Sequence, residues 1–209
     1  MEPLNVLLFS GGGVHDHEGC SVVLKEILAT EPAFRVTHVS GDLDLWTREE
    51  FMQYDCMVFY WTIGDLTDEQ MMGLSRFISS GKGFVGVHGA TASFKQRDDF
   101  RALIGGYLVM HPRYRQYQVS VVDPQHEITR DIEEFMVTDE QYITSYDARV
   151  DVLATALYRG MPSPVIWTKK WGRGKIVFNA LGHDPQACRN ETFAELLKRS
   201  IFWATRPEE

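Results

Sequence analysis

The chain has 209 residues, with 21 basic against 29 acidic side chains and a net charge of −8. That balance lacks the basic face that nucleic acid or an anionic membrane surface requires, and 44% hydrophobic with 24% charged residues excludes a disordered chain. The length suits one domain, residues 1–209, able to bury about 70% of the surface of its unfolded chain.

In chain order, Asn5–Phe9 is an apolar run stopped by Ser10-Gly11-Gly12-Gly13, which predicts a buried strand and a loop. Val22, Val23, Ile27 and Leu28 recur at helical spacing between Glu18 and Thr30, and Pro32 closes that helix. Arg35–Ser40 is a second strand and Cys56–Trp61 a third. Thr67-Asp68-Glu69 starts a helix carrying Met71, Leu74, Phe77 and Ile78, which ends at Gly81-Lys82-Gly83. Phe84–Val87 is a fourth strand, and Phe94–Ile104 a helix. Strands apolar throughout and separated by helices predict a mainly parallel sheet covered on both faces.

The second half changes character. Tyr117–Val122, Phe135–Thr144 and Val150–Leu157 read as strands. Val165–Lys169 and Lys175–Asn179 flank Trp171-Gly172-Arg173-Gly174, a C-terminal antiparallel hairpin signal. Phe193, Leu196, Leu197, Ile201 and Trp203 mark an amphipathic helix from Glu191 to Ala204.

Cys20, Cys56 and Cys188 form no CxxC pair, so neither a disulfide framework nor a thiolate zinc site is expected. The start Met1-Glu2-Pro3-Leu4 has no signal-peptide character. No apolar run approaches the roughly 18 residues of a membrane helix. A cytoplasmic setting without membrane contact is the expectation.

Ligands of open α/β sheets bind outside the carboxyl ends of the strands. Four such exits carry polar clusters: Gly11–His17, Trp61–Asp65, His88–Thr91 and Leu181–Asp184. His15, His88 and His183 can therefore converge, although periodicity does not give the strand order. Gly11-Gly12-Gly13 lacks the third spaced glycine of a dinucleotide loop, because Asp16 stands near the helix start. Gly86-Val87-His88-Gly89-Ala90 has the layout of a nucleophile elbow with histidine in place of cysteine or serine. That histidine can be acid, base or ligand, or a hydrogen-bonded residue in a tight turn. His111 lies in Gly105–Pro112, read as a loop after a helix, and His126 and Glu140 lie in polar segments; each alone reads as surface or cap. A histidine–carboxylate set can hold a divalent metal, but no HExxH-type spacing is present. Trp61 belongs to a group of aromatics that fit either a sugar-stacking wall or the core.

The succession Gly13-Val14-His15-Asp16, Gly83–His88, Gly105-Gly106 to His111-Pro112, His126–Thr129, Asp139–Tyr142, Pro164–Lys169, Gly172–Phe178 and Leu181–Asp184 resembles the ThuA-like family, named for trehalose utilisation. The resemblance runs through nearly the whole chain. It implies a class I glutamine amidotransferase-like, flavodoxin-like three-layer sandwich whose nucleophile position is held by His88, so glutaminase activity is not implied. The family's functional residues fall on His15, His88, His111, His126, Glu140 and His183. Two departures stand out: His17 replaces an aromatic after His15-Asp16, and His126-Glu127-Ile128 replaces His-Pro-Ile.

The expectation is an enzyme acting on a small carbohydrate, a sugar or keto-sugar, by acid–base chemistry at a histidine-rich pocket. His88, His183 and Glu140 are the catalytic candidates. Gly12, Gly13, His15, Asp16, Trp61, His111, His126 and Asp184 are the substrate-binding candidates. A divalent metal is a candidate cofactor, and a second copy of the chain a candidate partner. The alternative is a non-catalytic carbohydrate-binding or assembly module, motivated by the missing nucleophile. A thiol enzyme using Cys20 or Cys188 is the remote third reading.

Overall fold

In the computed structural model, which describes residues 2–207, nine strands form one large sheet in the order β2-β1-β3-β4-β11-β10-β9-β6-β7. Met1, Glu208 and Glu209 lie outside the described residues. The strands are β1 Leu4–Gly12, β2 Phe34–Ser40, β3 Cys56–Thr62, β4 Gly83–Val87, β5 Gly106–Met110, β6 Arg115–Val121, β7 Phe135–Asp139, β8 Ile143–Tyr146, β9 Asp151–Tyr158, β10 Met161–Trp171 and β11 Gly174–Asn179. β2, β1, β3, β4 and β11 run parallel, whereas β10, β9, β6 and β7 pair antiparallel. The sheet is thus mixed rather than mainly parallel, because the segment between β4 and β11 adds its own antiparallel strands to one edge.

The parallel half follows the flavodoxin-like order in which the chain leaves β1 for the edge and then crosses back to β3. That reversal opens a crevice at the carboxyl ends of β1 and β3. Buried strands explain the continuous apolar runs: every residue of β3 and β4 is buried.

Helices cover both faces. α1, His17–Ala29, is capped by Asp16 and buries Cys20, Val23, Leu24 and Leu28. α5, Glu191–Thr205, starts on the Asn190 cap and buries Phe193, Leu196, Leu197 and Ile201. Gly83 fits under α5, since a Cβ there would stand 2.9 Å from that of Ala204. On the opposite face α2, Asp68–Ser79, carries a reciprocal capping box between Thr67 and Gln70. Phe77 of α2 stacks on Phe51 with ring centroids 4.2 Å apart. Two short 3-10 helices, Leu43–Thr47 and Glu49–Gln53, bring Trp46 against Phe9, Phe59 and Phe94.

Three segments depart from expectation. Phe94–Ile104 is helical only over α3, Asp98–Ile104, which stops at Gly105 with φ of +90°. Phe135–Thr144 is two strands, β7 and β8, separated by Glu140, Gln141 and Tyr142. Gly106–Met110, expected as loop, is β5, and it pairs with β8 in a separate two-stranded ribbon. A four-residue helix α4, Pro185–Cys188, follows the Asp184 cap. Among the described residues, no helix is long and apolar enough to cross a membrane.

Candidate functional site

The exits of β1, β3, β4 and β11 meet at one end of the sheet. Gly12 has φ of +87°, and a Cβ there would sit 2.0 Å from the Thr62 carbonyl oxygen, so the loop after β1 lies directly on β3. The Gly13 N–H donates to that same carbonyl at 3.2 Å. This approach places His15 Nδ1 2.5 Å from Thr62 Oγ1. At the end of β4, His88 adopts φ of +40° at the start of a 3-10 turn, His88–Ala92. Its Nδ1 lies 2.7 Å from the Ala180 carbonyl oxygen just beyond β11. A carbonyl only accepts, so Nδ1 carries the proton, and in the neutral ring Nε2 is a bare lone pair. His88 is fully buried, with its ring centroid 4.1 Å from that of Tyr142.

The antiparallel half supplies the carboxylate. Asp139 ends β7 and accepts from the N–H groups of Gly182 at 2.7 Å, His183 at 3.2 Å and Glu140 at 2.7 Å. It thereby pins the gap between β7 and β8 to the loop after β11. The Tyr60 hydroxyl supports that loop from below, 3.0 Å from the Gly182 carbonyl oxygen and 3.1 Å from that of His183. Glu140 Oε2 is then 3.3 Å from His183 Nδ1, 3.7 Å from His88 Nε2 and 4.0 Å from His15 Nε2. Its other oxygen, Oε1, lies 2.7 Å from His111 Nδ1, at the end of the β5 ribbon. Solvent reaches the cluster from the side of His111 and His183, whose side chains are 43% and 27% exposed; that of His15 is only 5% exposed.

Burial, together with the neighbouring His88 and His183 rings, pushes the His15 imidazole down to about 3. Burial and then His88 hold His183 below its ordinary value. Burial works against the Glu140 charge, but its contacts with the His88, His183 and His111 imidazoles outweigh it and keep this carboxyl below its ordinary value. Burial raises Asp139, against the pull of His88 and its backbone donors. At neutral pH, His15 and His183 thus present uncharged nitrogens to an ionised Glu140.

The structure brings together His15, His88, His111, Glu140 and His183, and it leaves other candidates apart. His126 lies at the far end of α5, its ring centroid 5.2 Å from that of Trp203 and its Nδ1 accepting from the Ile128 N–H. Trp61 is buried against Phe9, Phe59 and Phe94, with Nε1 donating to the Ile63 carbonyl, so it is core and not a sugar-stacking surface. Asp16 and Asp184 act as helix caps, accepting from the N–H groups of Gly19 and Ala187. Gly12 and Gly13 position the His15 loop. All three cysteines are buried, which removes the support for a thiol enzyme. Sequence reasoning missed Thr62, Asp139 and Tyr114, whose ring centroid is 5.5 Å from that of His183. Their adjacency to strand exits and to Glu140 was the available signal.

The geometry has counterparts of known structure. A ThuA-like protein from Parabacteroides merdae superposes with a TM-score of 0.86 at 22% identity, over 98% of this chain and 90% of that one. A protein from Salmonella typhimurium LT2, described as cytoplasmic, gives a TM-score of 0.72 at 14% identity, over 96% of this chain and all of that one. A β-galactosidase from Bacillus circulans sp. alkalophilus gives 0.68 at 13% identity, over 95% of this chain but 30% of that one. No curated protein matches the chain in sequence. The family model described as trehalose utilisation matches residues 5–204, and with nearly every strand and every histidine of the cluster inside that span, the chain belongs to the ThuA family.

Proposed function

We propose that the chain acts in carbohydrate metabolism, on a sugar or keto-sugar, by acid–base chemistry at the histidine cluster and without glutaminase activity. The observation that carries this reading is His88 at the strand-to-helix elbow, its Nε2 directed into a group of imidazoles around one carboxylate. An elbow without thiol or hydroxyl lacks the thiolate or alkoxide that acyl transfer from an amide needs. Imidazoles titrate near neutral pH and suit proton transfer at a carbonyl or hydroxyl of a sugar. In this reading His183, partly exposed, meets the substrate and moves a proton. Glu140 orients it, and the fully buried His88 positions both. His111 stands at the rim, where an incoming ligand passes.

His88→Ala and His183→Ala are expected to lower turnover of a panel of keto- and unmodified disaccharides by about 100-fold or more. Unchanged turnover in both variants refutes the assignment. A second reading, a binding or assembly module, draws on the recurrence of the fold as a part of a longer β-galactosidase chain. Calorimetric sugar binding without turnover would favour it.

The cytoplasmic description of the Salmonella relative supports the same setting here. Exposed Val109, Met110, Leu157 and Met161 support association of two copies; a monomer in sedimentation at all concentrations would oppose it.

A further inference from the structure

We propose that His15 Nε2, His88 Nε2, His183 Nδ1 and Glu140 Oε2 hold one divalent first-row transition-metal ion, with His111 as the residue that fixes the carboxylate. For its chemistry the proposal rests on the acid–base reading above; for the existence of the site it rests on the geometry alone.

The four ligand atoms lie within 4.8 Å of one another. Their contacts are poor hydrogen bonds but suitable ligand edges. A tetrahedral ion with metal–nitrogen bonds of about 2.0–2.1 Å has ligand–ligand edges of about 3.3 Å. Here the His183 Nδ1–Glu140 Oε2 and His183 Nδ1–His88 Nε2 separations are both 3.3 Å, with His88 and His15 at 3.7 and 4.0 Å from Glu140 Oε2. The tautomer of His88 is decisive. Its Nδ1–H is committed to the Ala180 carbonyl, so the Nε2 lone pair of the neutral ring faces a carboxylate oxygen, acceptor against acceptor, in a fully buried position. A cation among these atoms converts that repulsion into ligation.

The surrounding residues have the form of an outer shell. Ligating imidazoles hold their second nitrogen on a protein acceptor, and those partners tune affinity. His88 does so through Ala180 and His15 through Thr62 Oγ1. Glu140 is fixed on both sides, by His111 on its second oxygen and by its neighbour Asp139 clamped to the Gly182 and His183 N–H groups. Three imidazoles and one carboxylate favour zinc, iron, cobalt, nickel or manganese over magnesium or calcium, which prefer all-oxygen sets. An ion with these four ligands and a fifth position open toward His111 and His183 would lower the pKa of a bound water and polarise a sugar oxygen, and that water would take over the proton transfer assigned above to His183.

The test is metal uptake by the whole chain. Protein stripped with chelator is dialysed against Zn2+ or Mn2+, and bound metal is measured by elemental analysis. One equivalent per chain is expected. Because a buried His88 variant can fail to fold, His15→Ala and Glu140→Gln are the primary variants, each checked for native circular dichroism. Both are expected to weaken binding by about 100-fold or more, and His111→Ala by about 10- to 100-fold with the melting temperature of the stripped protein unchanged. His126→Ala serves as control and binds normally. Uptake well below one equivalent, or uptake that survives both His15→Ala and Glu140→Gln, overturns the proposal. Turnover of sugars by protein that takes up no metal would sink the metal site and spare the sugar reading; stoichiometric metal without turnover would do the reverse.

Discussion

His88 reaches the cluster through a backbone angle that L-residues rarely adopt, at φ of +40°, a strain of order 1–3 kcal/mol that the surroundings must overcome. The next residue makes the turn fit: a Cβ on Gly89 would lie 2.0 Å from Thr62 Oγ1 and 2.7 Å from the Trp61 carbonyl oxygen. Gly89→Ala is therefore expected to destabilise the protein by about 1–3 kcal/mol and to displace the hydroxyl that holds His15. Denaturant unfolding would measure the first effect. Zn2+ affinity lowered by about 10-fold in the folded fraction would report the second. At this scale His15, His88 and His183 were legible because strand exits announce themselves by a polar residue after an apolar run. Asp139 was not legible: its clamp joins residues 43 and 44 positions apart, and no local pattern encodes it.

His126 shows what a titrating histidine does away from the site. Burial holds its pKa below the ordinary value, against the pull of Asp123 and Glu127, and its Nδ1 lone pair is spent on the Ile128 N–H. The unfolded chain takes up that proton first as pH falls through about 6.5. The stability this ring contributes is thus complete above that range and declines below it. His126→Gln is expected to flatten the fall in melting temperature between about pH 7.5 and 5.5, with metal uptake unchanged. An unaltered slope would contradict this.

Among the elements, α2 owes its start to the reciprocal bonds of Thr67 and Gln70. Thr67→Ala is expected to cost about 1 kcal/mol, read as a lower midpoint in urea with the slope unchanged. Gln70 also donates to Asp44 at 2.8 Å, so the cap ties α2 to the 3-10 segment that carries Trp46. Helices with caps and a 3.6-residue apolar rhythm were readable nearly to their ends, as α1 and α5 show. The short pieces were not. β5 begins at Gly106 beside a left-handed Gly105, which reads as a loop, and it becomes a strand only because β8 arrives to pair with it. The Phe135–Thr144 alternation conceals the break at Glu140 because polar residues at a gap and on a solvated strand face look alike. The site lies in that break, so its carboxylate could be nominated from the sequence but not placed.

Across the whole molecule, the mixed sheet divides the labour: parallel strands deliver three imidazoles, and the antiparallel excursion returns with Glu140 and His111. The groups that meet there span positions 15 to 183 of the chain, so an ion bound among them works as a removable cross-link between distant segments. An unfolded chain offers no such set, and binding that favours only the folded state adds about 2.7 kcal/mol at a free ion concentration 100 times the Kd. Loaded protein should therefore melt higher than stripped protein and survive limited proteolysis longer, with the difference lost in Glu140→Gln. Where metal is scarce, the lifetime of this protein would then follow supply: an empty copy opens sooner and is cleared first, so the population that persists is enriched in loaded molecules.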